Sequence, residues 1–527
     1  MDSSDTLTAH LSLPPEFALK SLSHEWGRHF VLHPPVIEHV TLWDTFEWQV
    51  WFSGSVFYNT TDHFHLCKQE AGWMASEIAS EEGVEGTPRF ARDFQNPALR
   101  EILTPVLGLR GLAPLCSAVF RRRNAELRND NGKIVCRFEW TELFGDAEAR
   151  KPLARYARIQ PLTGYHNEAL AAFNTLQSHG VAVSQEGPLH VLLRHYEKHP
   201  RVYSLRPCFG LEEHLPARTA VGRIVRAILE IARENESHIP GDIDTEFVHD
   251  YRICIRKIRS VLSLVKGVYP PAETEHIRKL LAQIARNTNR LRDLDVYLLA
   301  EGHYMELLPP DFREALSGVF EEFKEERARE IRRVRACLKS RKYREQMEQL
   351  ERFFSEDTVH EPTIHSDLPV GPLVFRSIYK RYRKIQAYAE ELALCAPDET
   401  VHELRIEGKK LRYLIEFFTE LIPQSRIDGT EKRLRRLQSL LGEFNDCSVQ
   451  QKFLLDYWSA KPHHTAHRAL ALGGLVSVLY RRQQKQRPQI QAALSEFTSN
   501  TTVAVFKQMF KPQSSKRSAD LPRNTDQ

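Results

Sequence analysis

The hydrophobic rhythm of the chain changes near residue 205. Before it, apolar and aromatic residues fall in short runs, often alternating with polar ones, over 36–46, 48–58, 64–69, 118–127, 133–140 and 156–160. Runs of this length and composition predict strands. Asn129-Asp130-Asn131-Gly132 between two of them predicts a hairpin turn, and 169–179 has helical spacing. Beyond 205, apolar residues recur every three or four positions over 221–233, 247–266, 274–300, 312–354, 373–394, 399–421, 431–458 and 467–487. That spacing predicts helices with one buried face. Asp242 and Asp244 are N-cap candidates, and Pro270-Pro271 breaks the second helix from the third. The pattern predicts a multidomain chain: an α+β antiparallel barrel over 1–205, an all-α domain over 206–510, and a polar, disordered tail over 511–527.

One motif occurs twice in the helical part. His249, Arg252, Arg256, Lys257 and Arg259 sit in H-x-x-R-x-x-x-[RK]-K-x-R; His402, Arg405, Lys409, Lys410 and Arg412 repeat it 153 residues later. Arg223 and Arg376, Pro270 and Pro423, Lys279 and Lys432, and Asp293 and Asp446 keep the same offset of 153. A constant offset over such a span predicts one supersecondary unit duplicated in a single domain. The expected architecture is two helical bundles about a pseudo-twofold axis.

On a helical wheel, His249, Arg252, Arg256 and Arg259 fall within an arc of roughly 80°. The second copy has the same spacing. Ile255, Ile258, Leu262 and Val265 lie on a neighbouring face and should be core. Like charges three and four residues apart destabilise a helix by about 0.2–0.5 kcal/mol per pair. Two such stripes therefore predict an external anion. Arg223, Lys279, Arg286, Arg376, Lys432 and Arg436 are secondary candidates for the same ligand.

Composition narrows the class. Charged residues make up 27% and hydrophobic residues 42%, as in a folded globular chain. Basic residues number 73 against 69 acidic ones, a net charge of +4. The clustering of cations, not the global charge, thus carries the case for a polyanion. No apolar run approaches a membrane span, and Met1-Asp2-Ser3-Ser4-Asp5 lacks the basic start of a signal peptide. Eight scattered cysteines without a C-x-x-C pair suit free thiols in a reducing cytoplasm.

The two motifs, the Arg292-Asp293-Leu294-Asp295-Val296 segment and the run from Leu437 to Asp446 resemble the CHAD family, a helical domain named for its histidines. The resemblance covers roughly residues 206–510. It implies two four-helix bundles around a basic groove or pore, and inorganic polyphosphate as ligand. The ten motif residues would line that pore.

The region before it resembles the CYTH, or triphosphate-tunnel, fold in the version that precedes a CHAD domain. Its marks are the segment Leu42 to Trp48, Arg121-Arg122-Arg123, and Gly164-Tyr165. Active members open with E-x-E-x-K, whose carboxylates bind divalent metal. Here the opening strand, Ala9 to Pro14, has no carboxylate, and Tyr156 to Gln160 stands where a second acidic pair belongs. Asp44, Glu139 and Glu142 do not make up a ligand set for phosphoryl chemistry. The expectation is a degenerate, non-hydrolytic domain without metal or cofactor. Its Lys133, Arg137 and Glu139 share one strand face, either binding an anion or facing solvent.

Alternatives stay open at this stage. His249 and His402 either contact phosphate or cap and orient their helices; a metal at either lacks a carboxylate partner at ligand spacing. His463-His464-x-x-His467 reads as a loop. Asp293 and Asp446 pair with basic neighbours, tie the third helix to the second, or act as acid/base groups. A metal-dependent triphosphatase or polyphosphatase in residues 1–205, or nucleic-acid binding by the basic helices, are rival functions. Against the last, no aromatic residues interleave with the stripes. Polyphosphate granules and enzymes of phosphate metabolism are compatible partners; a membrane is not expected. The expected location is the cytoplasm, with or without granules.

Overall fold

A computed structural model describes residues 10–511 except 62, 85, 147, 393–396 and 461–464. The chain divides into two compact units, Met1–Tyr203 and Ser204–Gln527. The expected tail, apart from Lys511, lies outside the described residues, as do His463 and His464.

The N-terminal unit is one antiparallel sheet. Its strands are β1 (His10–Ser12), β2 (Phe30–Leu32), β3 (Val36–Asp44), β4 (Ser55–Thr60), β5 (His63–Glu70), β6 (Trp73–Glu82), β7 (Ala113–Arg128), β8 (Ile134–Phe144), β9 (Ala154–Pro161) and β10 (Ala182–Val183). The order is β10-β1-β9-β8-β7-β3-β4-β5-β6, with β2 on β7. The ends curl together: the His10 ring of β1 stacks on Trp73 of β6 at 3.5 Å. Glu139 and Thr141 of β8 line a cavity of about 200 Å³ with Arg122, Tyr156 and Arg158. Even positions Phe138 and Trp140 are buried with Phe173 and Leu176 of the helix His166–Ser178. The hairpin forms as expected, closed by Asn129 N–H to the Lys133 carbonyl, with Gly132 at φ +72°.

The run 48–58 is not one strand. The buried Asp44 accepts from the amides of Thr45, Val50 and Trp51 at 2.6, 2.9 and 2.8 Å. These bonds fold a single helical turn, Gln49–Phe52, with Trp48 left-handed at φ +59°. Strand β6 went unseen because its outer edge carries polar residues, the usual protection of an unpaired edge.

The C-terminal unit is helical, and its helices are numbered separately: α1 (Ala217–His238), α2 (Glu246–Leu264), α3 (Pro271–Arg286), α4 (Asn289–Leu299), α5 (Glu301–Glu306), α6 (Arg313–Lys339), α7 (Arg341–Phe353), α8 (Val370–Leu392), α9 (Asp398–Phe417), α10 (Gln424–Ser459), α11 (Ala466–Phe497) and α12 (Asn500–Phe510). They form the expected pair of bundles. Ile255, Ile258, Leu262 and Val265 are all buried. Asp244 caps α2, accepting from the amides of Glu246 and Phe247. Asp242 does not cap; it pairs with Arg327, which also holds the fully buried Asp295 at 2.6 Å.

Two expected helices are broken. The stretch 274–300 splits at Asn287-Thr288, whereas its counterpart α10 runs unbroken for 36 residues. The side chains of such polar residues compete for backbone partners, and the Thr288 hydroxyl bonds to the Ala285 carbonyl. The stretch 312–354 splits at Ser340, which is extended and caps α7 through the Tyr343 amide.

The twofold relation is visible in backbone bonds. Ala217 N–H donates to Leu368 O at 2.9 Å, and Val370 N–H to Leu215 O at 2.9 Å. Arg218 N–H donates to Ser366 O, and Gly371 N–H to Glu213 O, each at 3.0 Å. Each of these pairs is related by 153 residues, about the bridge between Pro216 and Pro369. The segments preceding α1 and α8 behave as straps, each docked on the other repeat. Phe209 and Leu211 donate to Glu420 at 2.6 and 2.7 Å. Thr363 and His365 donate to the carbonyl of Gly267, which is 153 residues before Glu420.

Candidate functional site

Helices α2 and α9 pack against each other, so the two cationic stripes meet. Arg256 Nε donates to the buried Tyr413 hydroxyl at 3.0 Å, and Arg412 lies over the same ring at 5.4 Å. Burial first, then the charges of Arg405, Arg256 and Arg412, pushes the Lys409 ammonium down to about 8. Burial also lowers Arg405, with Arg256 and Arg412 adding to the effect and Asp446 opposing it. The guanidinium Nε atoms of Arg405 and Arg412 are buried without a hydrogen-bond partner among the described residues. A buried, unmade bond from a charged donor is costly, so these groups are poised for an acceptor.

Two acids face the cluster. Asp446 is 4.0 Å from Arg405. Burial raises the carboxyl of Asp293, against the pull of Arg252, Arg290 and Arg292. Both therefore sit among basic neighbours, one of the arrangements left open by the sequence.

Not every motif residue joins the cluster. Lys257 is 5% exposed; its ammonium binds Glu416 and donates to Leu205 O at 2.7 Å. Lys410 is bound to Glu407, which also holds Arg381. Both lysines follow the stripe by one residue and so turn about 100° away from it; they are corrections to the expected pore lining. Arg252 borders the cluster but is anchored: its Nη1 donates to Ala285 O, Thr288 Oγ1 and Asn289 Oδ1 at the break between α3 and α4. Arg259 is exposed. Of the secondary candidates, Arg223 donates to Gly210 O and Arg436 to Glu496. Lys279, Arg286, Arg376 and Lys432 are exposed on their helices.

The histidines differ. His402 Nδ1 is 3.0 Å from Asn445 Oδ1, tying α9 to α10. His249 does have carboxylates at ligand spacing: atoms of Glu246, His249 and Asp250 lie within 4.8 Å of one another. Helix α2 begins at Glu246, one residue earlier than expected, which puts Glu246 a turn before His249. Arg292 stands 3.6 Å from Glu246. Tyr413 is not among the sequence candidates; its one signal is an aromatic residue directly after the last arginine of the second motif, where the first has Ser260.

In the N-terminal unit, Asp44 is consumed by backbone amides and pushed up to about 6 by burial. Glu142 pairs with Arg121 and Arg155 at 3.3 Å. Arg137 is exposed and Glu139 faces the cavity, beside Arg122 and Arg158.

Fold and cluster together define a duplicated helical domain with a shared cationic centre. The matching family model is that of the CHAD domain, over residues 223–455, and the C-terminal unit contains a CHAD domain. Similar solved structures include the following three. The CHAD domain from the plant Ricinus communis is 21% identical, with 55% of this chain and 95% of that one covered and a TM-score of 0.46. PptA from Streptomyces chartreusis is 16% identical, covering 53% and 99%, with a TM-score of 0.40. The putative adenylyl cyclase HpAC1 from Hippeastrum, described as having a dominant triphosphatase activity, is 15% identical, covering 36% and 98%, with a TM-score of 0.26. No curated protein sequence matches the chain. Among the described residues, no helix is long and apolar enough to cross a membrane.

Proposed function

We propose that the C-terminal unit binds inorganic polyphosphate and holds it without cleaving it. The observation that carries this reading is the convergence of cations from both repeats on one place, with buried donors at Arg405 and Arg412 left unmade. Arg256, Arg405, Lys409 and Arg412 are the contact residues, and Arg252 their anchored neighbour. A flexible chain of phosphates supplies many oxygens at close spacing. Arginine forks take two of them and lysine adds a mobile point charge. Bound phosphate would relieve the mutual repulsion within the cluster.

The N-terminal unit is read as a tunnel-like domain that lacks a metal-binding carboxylate set. Support comes from His10 and Ser12 on β1, and from the occupation of Asp44 and Glu142 by other partners. The test is a titration of the full chain with long-chain polyphosphate, with single-stranded RNA as competitor at fixed salt. Binding that RNA displaces at equal charge would overturn the choice of ligand. Metal-dependent release of orthophosphate would overturn the non-catalytic part.

A further inference from the structure

The duplicated fold allows each cavity to be compared with its symmetry mate. Beside α9 and α10 lies a cavity of about 330 Å³ lined by Arg206, Pro207, Arg412, Glu416, Glu431 and Arg435. The strap occupies this groove. Arg206 pairs with Glu416 at 3.4 Å, and the Leu205 carbonyl accepts from Lys257. A segment of extended chain, carrying a cation, thus lies along a groove with Glu416 and Glu431 in its wall.

The corresponding groove in the first repeat, beside α2 and α3, is larger, about 560 Å³. Its own strap docks at Gly267 as the first strap docks at Glu420. Upstream, however, it takes another path. The carbonyls of His360 and Glu361 accept from Arg218, and His360 packs on Tyr269 and Phe353. Among the described residues, none takes in the first repeat the place that Leu205-Arg206-Pro207 holds in the second.

The first groove is also the more basic of the two, with Lys266, Arg278, Arg381 and Lys410 against Glu275, where the walls of the mate have Arg412 and Arg435 against Glu416 and Glu431. At the offset of 153, Ser263 stands for Glu416, Lys266 for Thr419 and Arg278 for Glu431. Lys410, the counterpart of Lys257, lines this groove with Arg381. Deprived of a strap carbonyl, Lys410 turns to Glu407 on its own helix. Glu275 is the acid in the lining, 2.9 Å from Arg278.

We infer that this groove is a docking site for an extended acidic peptide segment of a partner protein, distinct from the polyphosphate cluster. The partner's backbone would take the strap's course, with a carbonyl accepting from Lys410. An acidic side chain would sit where Arg206 sits in the mate, facing Lys266 and Arg278. Complementary charge sets specificity here more than affinity, so modest binding with a marked sign preference is expected. The volume suits a few residues of chain.

The experiment uses the full chain and two fluorescein-labelled peptides patterned on residues 204–209: Ser-Leu-Arg-Pro-Ser-Phe and its acidic analogue Ser-Leu-Glu-Pro-Ser-Phe. The acidic peptide should bind, and the basic one should not. The double variant Lys266→Glu, Arg278→Glu alters two surface-accessible side chains and should keep its helical circular dichroism. It should weaken the acidic peptide by at least roughly tenfold, about one lost ion pair's discrimination, and gain the basic one. Polyphosphate affinity should stay unchanged in that variant. Equal binding of both peptides, or of the acidic peptide to both proteins, overturns the inference. Displacement of the peptide by polyphosphate, with loss of polyphosphate binding in the variant, also overturns it by making the groove part of the phosphate site. Failure of polyphosphate binding in the wild type would leave the peptide result readable by itself. Should the double variant unfold, Lys266→Gln alone is expected to show the same loss at smaller size, and its absence counts against the site.

Discussion

Arg256 of the first repeat donates its Nε hydrogen to the hydroxyl of Tyr413 in the second, across the junction of the two copies. Arg412 lies over the face of that ring. One buried phenol thus fixes a cation from each half of the molecule. Neither stripe is a separate surface: Arg256 belongs electrostatically with Arg405 and Lys409.

Replacing Arg256, Arg405, Lys409 and Arg412 together with Ala should abolish polyphosphate retention. Partial variants should reduce the slope of log affinity against log salt by roughly one per cation removed. A filter-binding series over salt concentration measures both. A quadruple variant that stays folded and retains polyphosphate sinks the site.

Lys409 titrates at about 8 in the free protein, below its ordinary value near 10.5. The folded chain therefore binds fewer protons there than the unfolded one between these values, and stability from this group rises with pH across that window. Phosphate should restore the ordinary value, so binding near pH 8.5 should take up a proton. Calorimetry in buffers of differing ionisation heat would detect it. Lys409→Met should weaken binding yet stabilise the free protein by about 1 kcal/mol, since a repelled cation is removed.

Arg327 holds the fully buried Asp295 and also Asp242. Arg327→Met should leave Asp295 without its countercharge and cost about 3–5 kcal/mol. Denaturant unfolding is the readout, and a loss below about 1 kcal/mol would mean that solvent already screens the pair.

Burial raises Asp44 to about 6 against three backbone hydrogen bonds that pull the other way. The folded state then holds a proton that the unfolded state has lost between about 4 and 6. This group's contribution to stability falls as pH rises through that window. Asp44→Ala should remove the turn's acceptors and destabilise by about 1–3 kcal/mol. The pH dependence of thermal unfolding, wild type against Asp44→Asn, tests the sign.

Gly267 sits at φ +75°, and a Cβ there would lie 2.8 Å from His365 Nδ1. Gly267→Ala should displace the second strap and cost about 1–3 kcal/mol. Hydrogen exchange at the His365 amide should accelerate in the variant.

Much of this was legible in the sequence because duplication writes a signal twice. The offset of 153 announced the twofold relation, and apolar spacing placed Ile255, Ile258 and Leu262 in the core. What escaped was set by tertiary contacts. Lys257 and Lys410 look like stripe residues in one dimension, but a turn of one residue sends each to a glutamate, Glu416 or Glu407. Arg252 looks free in the sequence because 274–300 has continuous helical spacing, which hides the break at Thr288 where Ala285 O, Thr288 Oγ1 and Asn289 Oδ1 hold it. Glu246 was placed outside α2, which hid its proximity to His249. Trp48–Phe52 reads as strand in the sequence because its aromatic residues outweigh the one acid, Asp44, that gathers the turn.

The crossed straps bear on how such a chain could arise. Each repeat leaves its own leading segment on its neighbour, Phe209 and Leu211 at Glu420, Thr363 and His365 at Gly267. A repeat made alone would have an arm with nowhere to lie and a docking place with nothing in it. Two such molecules satisfy both by trading arms, as in a domain-swapped homodimer. The present chain has the form of that dimer fused end to end, with each half freed to change sequence independently of the other.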